Sequence, residues 1–199
     1  MPRKNSALHG NAPDKSKAAL IIIDVINDLE FNSGTRLLPQ ALIMAKKLVA
    51  LKTRSEKASI PVIYVNDNFG KWRSDFSAQV RHSMQPHIRG APLVKLLRPG
   101  PNDYFVLKPK HSGFFSTPLD LLLNYLDVKN LILTGIAGNN CVLFTATDAY
   151  LRDFDLWIPA DCVVSISKQD NLLALKQMRQ LLHADIRVST RIDLRKLNA

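Results

Sequence analysis

The chain has 199 residues, 46% of them apolar, and carries 27 lysines and arginines against 17 aspartates and glutamates, a formal net charge of +10. That length supports one sizeable core rather than two, and no apolar run approaches the ~20 residues needed to span a bilayer. The two cysteines form no disulfide framework or zinc-type pairing, and the charged N-terminus lacks the apolar stretch of a secretion signal, so a reducing cytoplasm is the expected location.

Residues 1–17 read as a flexible basic arm with Arg3, Lys4, Lys15 and Lys17 among polar residues, and 18–199 as one domain. The run 18–24 is apolar without alternation until Asp24, the pattern of a strand covered on both faces. A loop through Phe31, Gly34 and Pro39 leads to a helix over 40–57, then to a strand over 61–65. Residues 66–102 are rich in proline and glycine and read as a long functional loop with a short helix over 76–84. A third strand covers 103–108. Thr117 and Pro118 open a helix that runs to about residue 126. The remainder alternates strand 130–134, helix 141–152, strand 155–159, helix 169–183 and a short strand 186–188. Such repetition predicts a single three-layer α/β domain, with a mostly parallel six-stranded sheet and helices on both faces.

Three of these elements deliver a reactive residue at the end of an apolar run: Asp24, Lys108 and Cys141. In a parallel sheet the carboxyl ends of the strands lie along one edge, where open α/β folds bind ligands. Cys141 falls where small turn residues give way to a helical pattern, so it is expected to start a helix whose free N–H groups stabilise a thiolate. Lys110 rivals Lys108, but Pro109 ends the regular strand before it. Cys162 follows Pro159-Ala-Asp161, away from any predicted helix start, and reads as an inert buried residue. A thiol that must attack a carbonyl needs a base, an opposite charge and oxyanion donors; Asp24, Lys108 and the backbone of 135–141 are the candidates for these roles.

Three blocks make the order specific. Ile-Ile-Ile-Asp-Val-Ile-Asn-Asp-Leu over 21–29 comes first. Val-Leu-Lys-Pro-Lys-His-Ser-Gly-Phe-Phe-Ser-Thr-Pro-Leu over 106–119 comes second. The third is Leu-Thr-Gly-Ile-Ala-Gly-Asn-Asn-Cys-Val-Leu-Phe-Thr-Ala-Thr-Asp-Ala over 133–149, followed by Pro159-Ala-Asp161. Together they resemble the isochorismatase-like cysteine hydrolases, the family that includes nicotinamidase and N-carbamoylsarcosine amidase, over roughly residues 18–190. The resemblance implies catalytic roles for Asp24, Lys108 and Cys141, a cis peptide at Ile136–Ala137, an oxyanion hole made by the Ala137 and Cys141 amides, and assembly into homo-oligomers. It also implies hydrolysis of a C–N bond in a small amide or ureido substrate through a thioester. The alternatives are vinyl ether hydrolysis, or a non-catalytic basic binding protein on the same fold.

Departures from the family pattern narrow the expectation. Ile26 stands where many members have glutamine, and Phe69 stands where nicotinamidases place the histidine of a metal-binding Asp-x-His, so Asp67 reads as a turn residue. No metal and no cofactor is expected. Phe31, Trp72 and Phe115 are candidates to line a pocket for a planar substrate. The basic residues lack the aromatic interleaving of a nucleic-acid surface, so nucleic acid is not an expected partner, nor is a membrane.

Overall fold

In the computed structural model, which describes residues 15–70 and 75–199, the apolar run Ala18–Ile23 is strand β1, and all six of its side chains are buried. It is covered twice over. Ala18, Leu20 and Ile22 pack into a layer with Leu37, Ala41, Met44 and Leu48 of helix α1 (Gly34–Lys57). Ala19, Ile21 and Ile23 pack on the opposite face with Leu119, Leu123 and Leu126 of another helix, and with Ala146, Ala149 and Met178. A strand so enclosed has no polar face, which is why its sequence shows no alternation.

Among the described residues six strands form one parallel sheet: β1, β2 (Val62–Asp67), β3 (Tyr104–Lys108), β4 (Asn130–Ile136), β5 (Asp155–Trp157) and β6 (Val163–Val164). The order is β3-β2-β1-β4-β5, with β6 also paired to β4. Helices α2 (Phe76–Ser83), α3 (Ala91–Leu96), α4 (Leu119–Leu126), α5 (Leu143–Tyr150), α6 (Lys168–Leu181) and α7 (Leu194–Leu197) complete the layers with α1. None of these helices is long and apolar enough to cross a membrane.

Pairing places the site. Ile23 stands opposite both Val65 and Gly135, and Asp67 stands opposite Lys108, so the ends of β1, β2, β3 and β4 share one edge. The chain reverses strand order between β1 and β4 at that edge, the usual location of ligand crevices in open α/β sheets. Gly135 has φ +111°, and a Cβ there would lie 2.1 Å from the Ile23 carbonyl oxygen, so only glycine allows β4 this close to β1 before the turn.

Two elements differ from their sequence reading. Helix α1 begins at Gly34 and runs through Pro39. Proline denies the helix one amide donor near its start, while Leu37 and Ala41 on either side of it are buried. The sixth strand is not at 186–188. Asp185 makes a single parallel bridge to Trp157, and its carboxylate then accepts the Arg187 N–H at 3.0 Å, which turns the backbone away. The remaining edge of β4 is taken by β6, with Gly135 opposite Val163 and Ile136 opposite Val164. At the other end, Ser16 Oγ donates to Asn198 Oδ1 at 2.6 Å and Lys17 pairs with Asp127 at 2.7 Å. The rest of the basic arm, 1–14, lies outside the described residues.

Candidate active site

Asp24 is the first residue after β1, with φ 52°, a left-handed conformation that aspartate tolerates better than most residues. Its carboxylate is held from the neighbouring strand: the Asp67 N–H donates to Asp24 Oδ1 at 2.7 Å. The segment beyond it is fixed by buried Asn66, whose amide accepts from the Ile26 N–H at 3.1 Å and donates to the Ile26 carbonyl at 2.9 Å. Ile26 itself is fully buried in the α1-side layer.

Lys108 ends β3 and has no exposed surface. Its Nζ lies 2.9 Å from Asp24 Oδ2, 3.5 Å from Asp67 Oδ2 and 3.6 Å from the Cys141 sulfur. An ammonium is stable at such depth only when surrounded by acceptors, and these three groups supply them. Lys110, by contrast, is exposed and sits 5.9 Å over the Phe115 ring.

Cys141 is not the first residue of an α-helix, as its sequence context suggested. It lies in a π-helical turn, Gly138–Val142, that precedes α5. The Ile136–Ala137 peptide before the turn is cis. The Ala137 carbonyl accepts the Asn140 and Val142 N–H groups, and the Asn139 N–H donates to Ser165 Oγ at 3.0 Å. Gly138 is closely packed, since a Cβ there would lie 2.2 Å from Asn171 Oδ1. Thr145 joins the turn to the loop after β3: its hydroxyl donates to the Cys141 carbonyl at 2.7 Å and accepts the Gly113 N–H at 2.9 Å.

The electrostatics follow from burial and charge together. Burial, and then the neighbouring Asp24 carboxylate, push the Cys141 thiol up to about 12, with Lys108 opposing. The resting group is therefore a protonated thiol, hydrogen-bonded to Asp24, rather than the stabilised thiolate expected at a helix start. Burial raises Asp24 above its ordinary range even though Lys108 and the thiol hydrogen bond pull it down. Burial works to lower Lys108, but the attraction of Asp24, Cys141 and Asp67 outweighs it and the amine is held charged. A buried acid with raised proton affinity thus touches a thiol that must lose a proton, with a fixed cation beside both.

The structure brings Asp24, Lys108 and Cys141 together, with Ala137 immediately before the turn that carries the cysteine. Phe31 and Phe115 are exposed rather than packed in the core, and Trp72 lies outside the described residues. Asp67 forms the expected turn, accepting the Phe69 N–H at 2.6 Å, but its other oxygen faces Lys108. That contact was missed from the sequence, although the polar triplet Asn66-Asp67-Asn68 closing an apolar strand was a signal for it. Among the described residues no group of three His, Cys, Asp or Glu is arranged to hold a metal ion.

Alkylation should separate the two cysteines. Burial, then Asp161, pushes Cys162 up to about 12 as well, so access decides, and Cys162 is fully buried. Iodoacetamide followed by peptide mapping is expected to label Cys141 first, with a rate that rises about tenfold per pH unit as the thiolate fraction grows. Earlier labelling of Cys162 would remove Cys141 from its assigned place.

Comparison with known proteins gives a consistent picture. The Isochorismatase domain profile matches residues 18–189. An uncharacterized isochorismatase family protein of Bacillus subtilis (strain 168), YaaI, is 39% identical over 180 residues, 89% of this chain and 97% of that protein. The ureidoacrylate amidohydrolase RutB of Methylorubrum extorquens is 45% identical over 62 residues, 31% of this chain and 25% of that protein. Among solved structures, N-carbamoylsarcosine amidase from Thermoplasma acidophilum superposes with a TM-score of 0.68 at 23% identity, over 89% of this chain and 99% of that one, a likeness of fold.

Proposed function

This chain belongs to the isochorismatase family, a family of hydrolases, and we propose that it is a cysteine hydrolase that cleaves the C–N bond of a small amide or ureido compound through a thioester. The observation that carries the reading is the buried contact set of Lys108 Nζ, 2.9 Å from Asp24 and 3.6 Å from the Cys141 sulfur. The Cys141 proton passes to Asp24, and the resulting thiolate remains beside the Lys108 ammonium. The sulfur attacks the substrate carbonyl carbon, and the carbonyl oxygen takes the negative charge. The Ala137 and Cys141 amides, the pair implied by the family resemblance, are assigned as the oxyanion donors, each worth a few kcal/mol in such sites. Protonated Asp24 then delivers its proton to the departing nitrogen. Water, deprotonated by Asp24, attacks the thioester and releases the acid and the thiol.

Two further features accord with amide-type hydrolysis. Phe31 and Phe115 are exposed and so are available to a substrate, and a nucleophilic thiol suits acyl transfer better than vinyl ether cleavage. The local likeness to ureidoacrylate amidohydrolase points to the same bond class. A panel of small primary amides, ureido acids and isochorismate, assayed for ammonia or acid release, tests the reading. Ammonia release from an amide or ureido member, abolished by Cys141→Ala, is expected. Turnover of isochorismate alone, or amide turnover that survives Cys141→Ala, would overturn it.

A further inference from the structure

Four side chains, not three, meet at the edge of the sheet. Asp67 is the last residue of β2, and it touches both members of the buried ion pair from one position. Its backbone N–H donates to Asp24 Oδ1 at 2.7 Å, and its Oδ2 lies 3.5 Å from Lys108 Nζ. The residue is itself well anchored. Its Oδ1 accepts the Phe69 N–H at 2.6 Å, its carbonyl accepts from Gln79 Nε2 at 3.2 Å, and its strand is paired with β3 directly opposite Lys108. The side chain is about a quarter exposed, whereas Asp24 and Lys108 are almost fully enclosed, so Asp67 forms the outer wall of the cluster.

One ammonium facing two carboxylates and a neutral thiol gives the cluster a net negative charge, and this has a consequence during the proposed reaction. When Asp24 accepts the thiol proton it ceases to be an anion. Lys108 would then be balanced by the new thiolate alone, and by nothing once that sulfur is acylated. Asp67 supplies a second counter-ion, which keeps the ammonium charged and in place through both stages. The same negative charge favours every protonated state nearby, so it also delays thiolate formation to higher pH. Among the described residues, the charged and titratable groups facing Lys108 are Asp24 just after β1, Asp67 from β2 and Cys141 from the turn after β4.

Building on the acyl-transfer reading above, we propose that Asp67 is a positioning residue of the site, holding Asp24 by its amide and Lys108 by its carboxylate, and that its charge sets the pH range in which the Cys141 thiol reacts.

The test is the pH profile of Cys141 alkylation by iodoacetamide, which needs no substrate. Asp67→Asn keeps an oxygen for the Phe69 N–H and so preserves the turn while removing the charge. It is expected to shift the profile to lower pH, giving alkylation about threefold or more faster at a fixed pH on the rising limb. Asp67→Ser, which also retains a short acceptor without charge, should shift it in the same direction and serves if the asparagine variant folds poorly. Asp24→Asn, which removes the anion touching the thiol, is the positive control. If Asp24→Asn shifts the profile and neither Asp67 variant does, the proposal is overturned. The two readings fail separately: amide turnover that depends on Cys141, combined with unshifted Asp67 profiles, would remove Asp67 from the site and leave the acyl-transfer reading intact. Shifted profiles hold for Asp67 whether or not a member of the substrate panel turns over.

Discussion

Lys108→Met is expected to destabilise the folded protein by about 3–5 kcal/mol at pH 8, because it leaves the Asp24 carboxylate buried without its cation. Lys108 is fully enclosed and lies 2.9 Å from Asp24, so no solvent substitutes for the lost charge. The deficit should shrink in acid. Asp24 already has a raised proton affinity through burial, and removing Lys108 takes away the largest influence opposing that rise. A carboxyl whose folded pKa lies above its unfolded value destabilises the fold only where it must ionise. The penalty therefore grows as pH rises from the unfolded carboxylate range through the raised folded value, and it disappears below both. Lys108 has the opposite limb in the parent protein, where its raised pKa gives stability that persists below the ordinary lysine range and is lost as pH rises through the folded value. Urea denaturation of parent and variant at pH 5 and pH 8 checks both arms. Asp24→Asn/Lys108→Met should recover much of the loss, since an uncharged pair needs no mutual compensation. Equal deficits at the two pH values would show that Lys108 contributes packing rather than charge.

Asp24→Asn is expected to reduce amide turnover by about 10²- to 10⁴-fold, the range associated with a lost general base. The same substitution should make Cys141 alkylate roughly tenfold faster at a fixed pH below the thiol's midpoint. These opposite signs follow from two roles of one carboxylate. As a fixed anion hydrogen-bonded to the thiol, Asp24 raises the proton affinity of the sulfur and holds it unreactive. As a proton acceptor it must receive that proton during attack and return it to the departing nitrogen. Asparagine ends the first effect and cannot perform the second. Parallel measurement of ammonia release and alkylation rate distinguishes them. If both rates fall together, Asp24 acts only by holding the cluster's shape.

Much of this architecture was legible because burial leaves a simple trace. Strand β1, enclosed on both faces, reads as an unbroken apolar run closed by Asp24, and Lys108 likewise closes the apolar run of the partly exposed edge strand β3. Lys108 could be chosen over Lys110 because Pro109 ends the regular strand, and the structure places the first in the cluster and the second in solvent. What escaped reading was short or cooperative. Val163–Val164 is a strand only because β4 offers an unpaired edge, and two residues carry no period. Ala91–Leu96 and Leu194–Leu197 are too brief to show helical spacing. The π turn around Cys141 reads locally like the start of α5, and its width depends on neighbours such as Ser165 and Asn171 that are distant in sequence. The raised thiol was hidden for the same reason, since burial beside Asp24 is a property of the assembled edge and not of the segment 135–142.

The pairing of β1 with β2 and β4, and of β2 with β3, also limits how this protein can change length. Consecutive side chains of a strand point to opposite faces, so one residue gained or lost within β1, β2 or β3 would turn Asp24, Asp67 or Lys108 away from its partners while leaving the composition almost unaltered. The turns at the far end of the sheet, such as 98–102 and 152–154, are exposed for much of their length and lie away from the cluster. Indels there change loop closure only slightly. Length variation among related chains should therefore gather at that end, where it alters the outline of the molecule and leaves the distances among four side chains untouched.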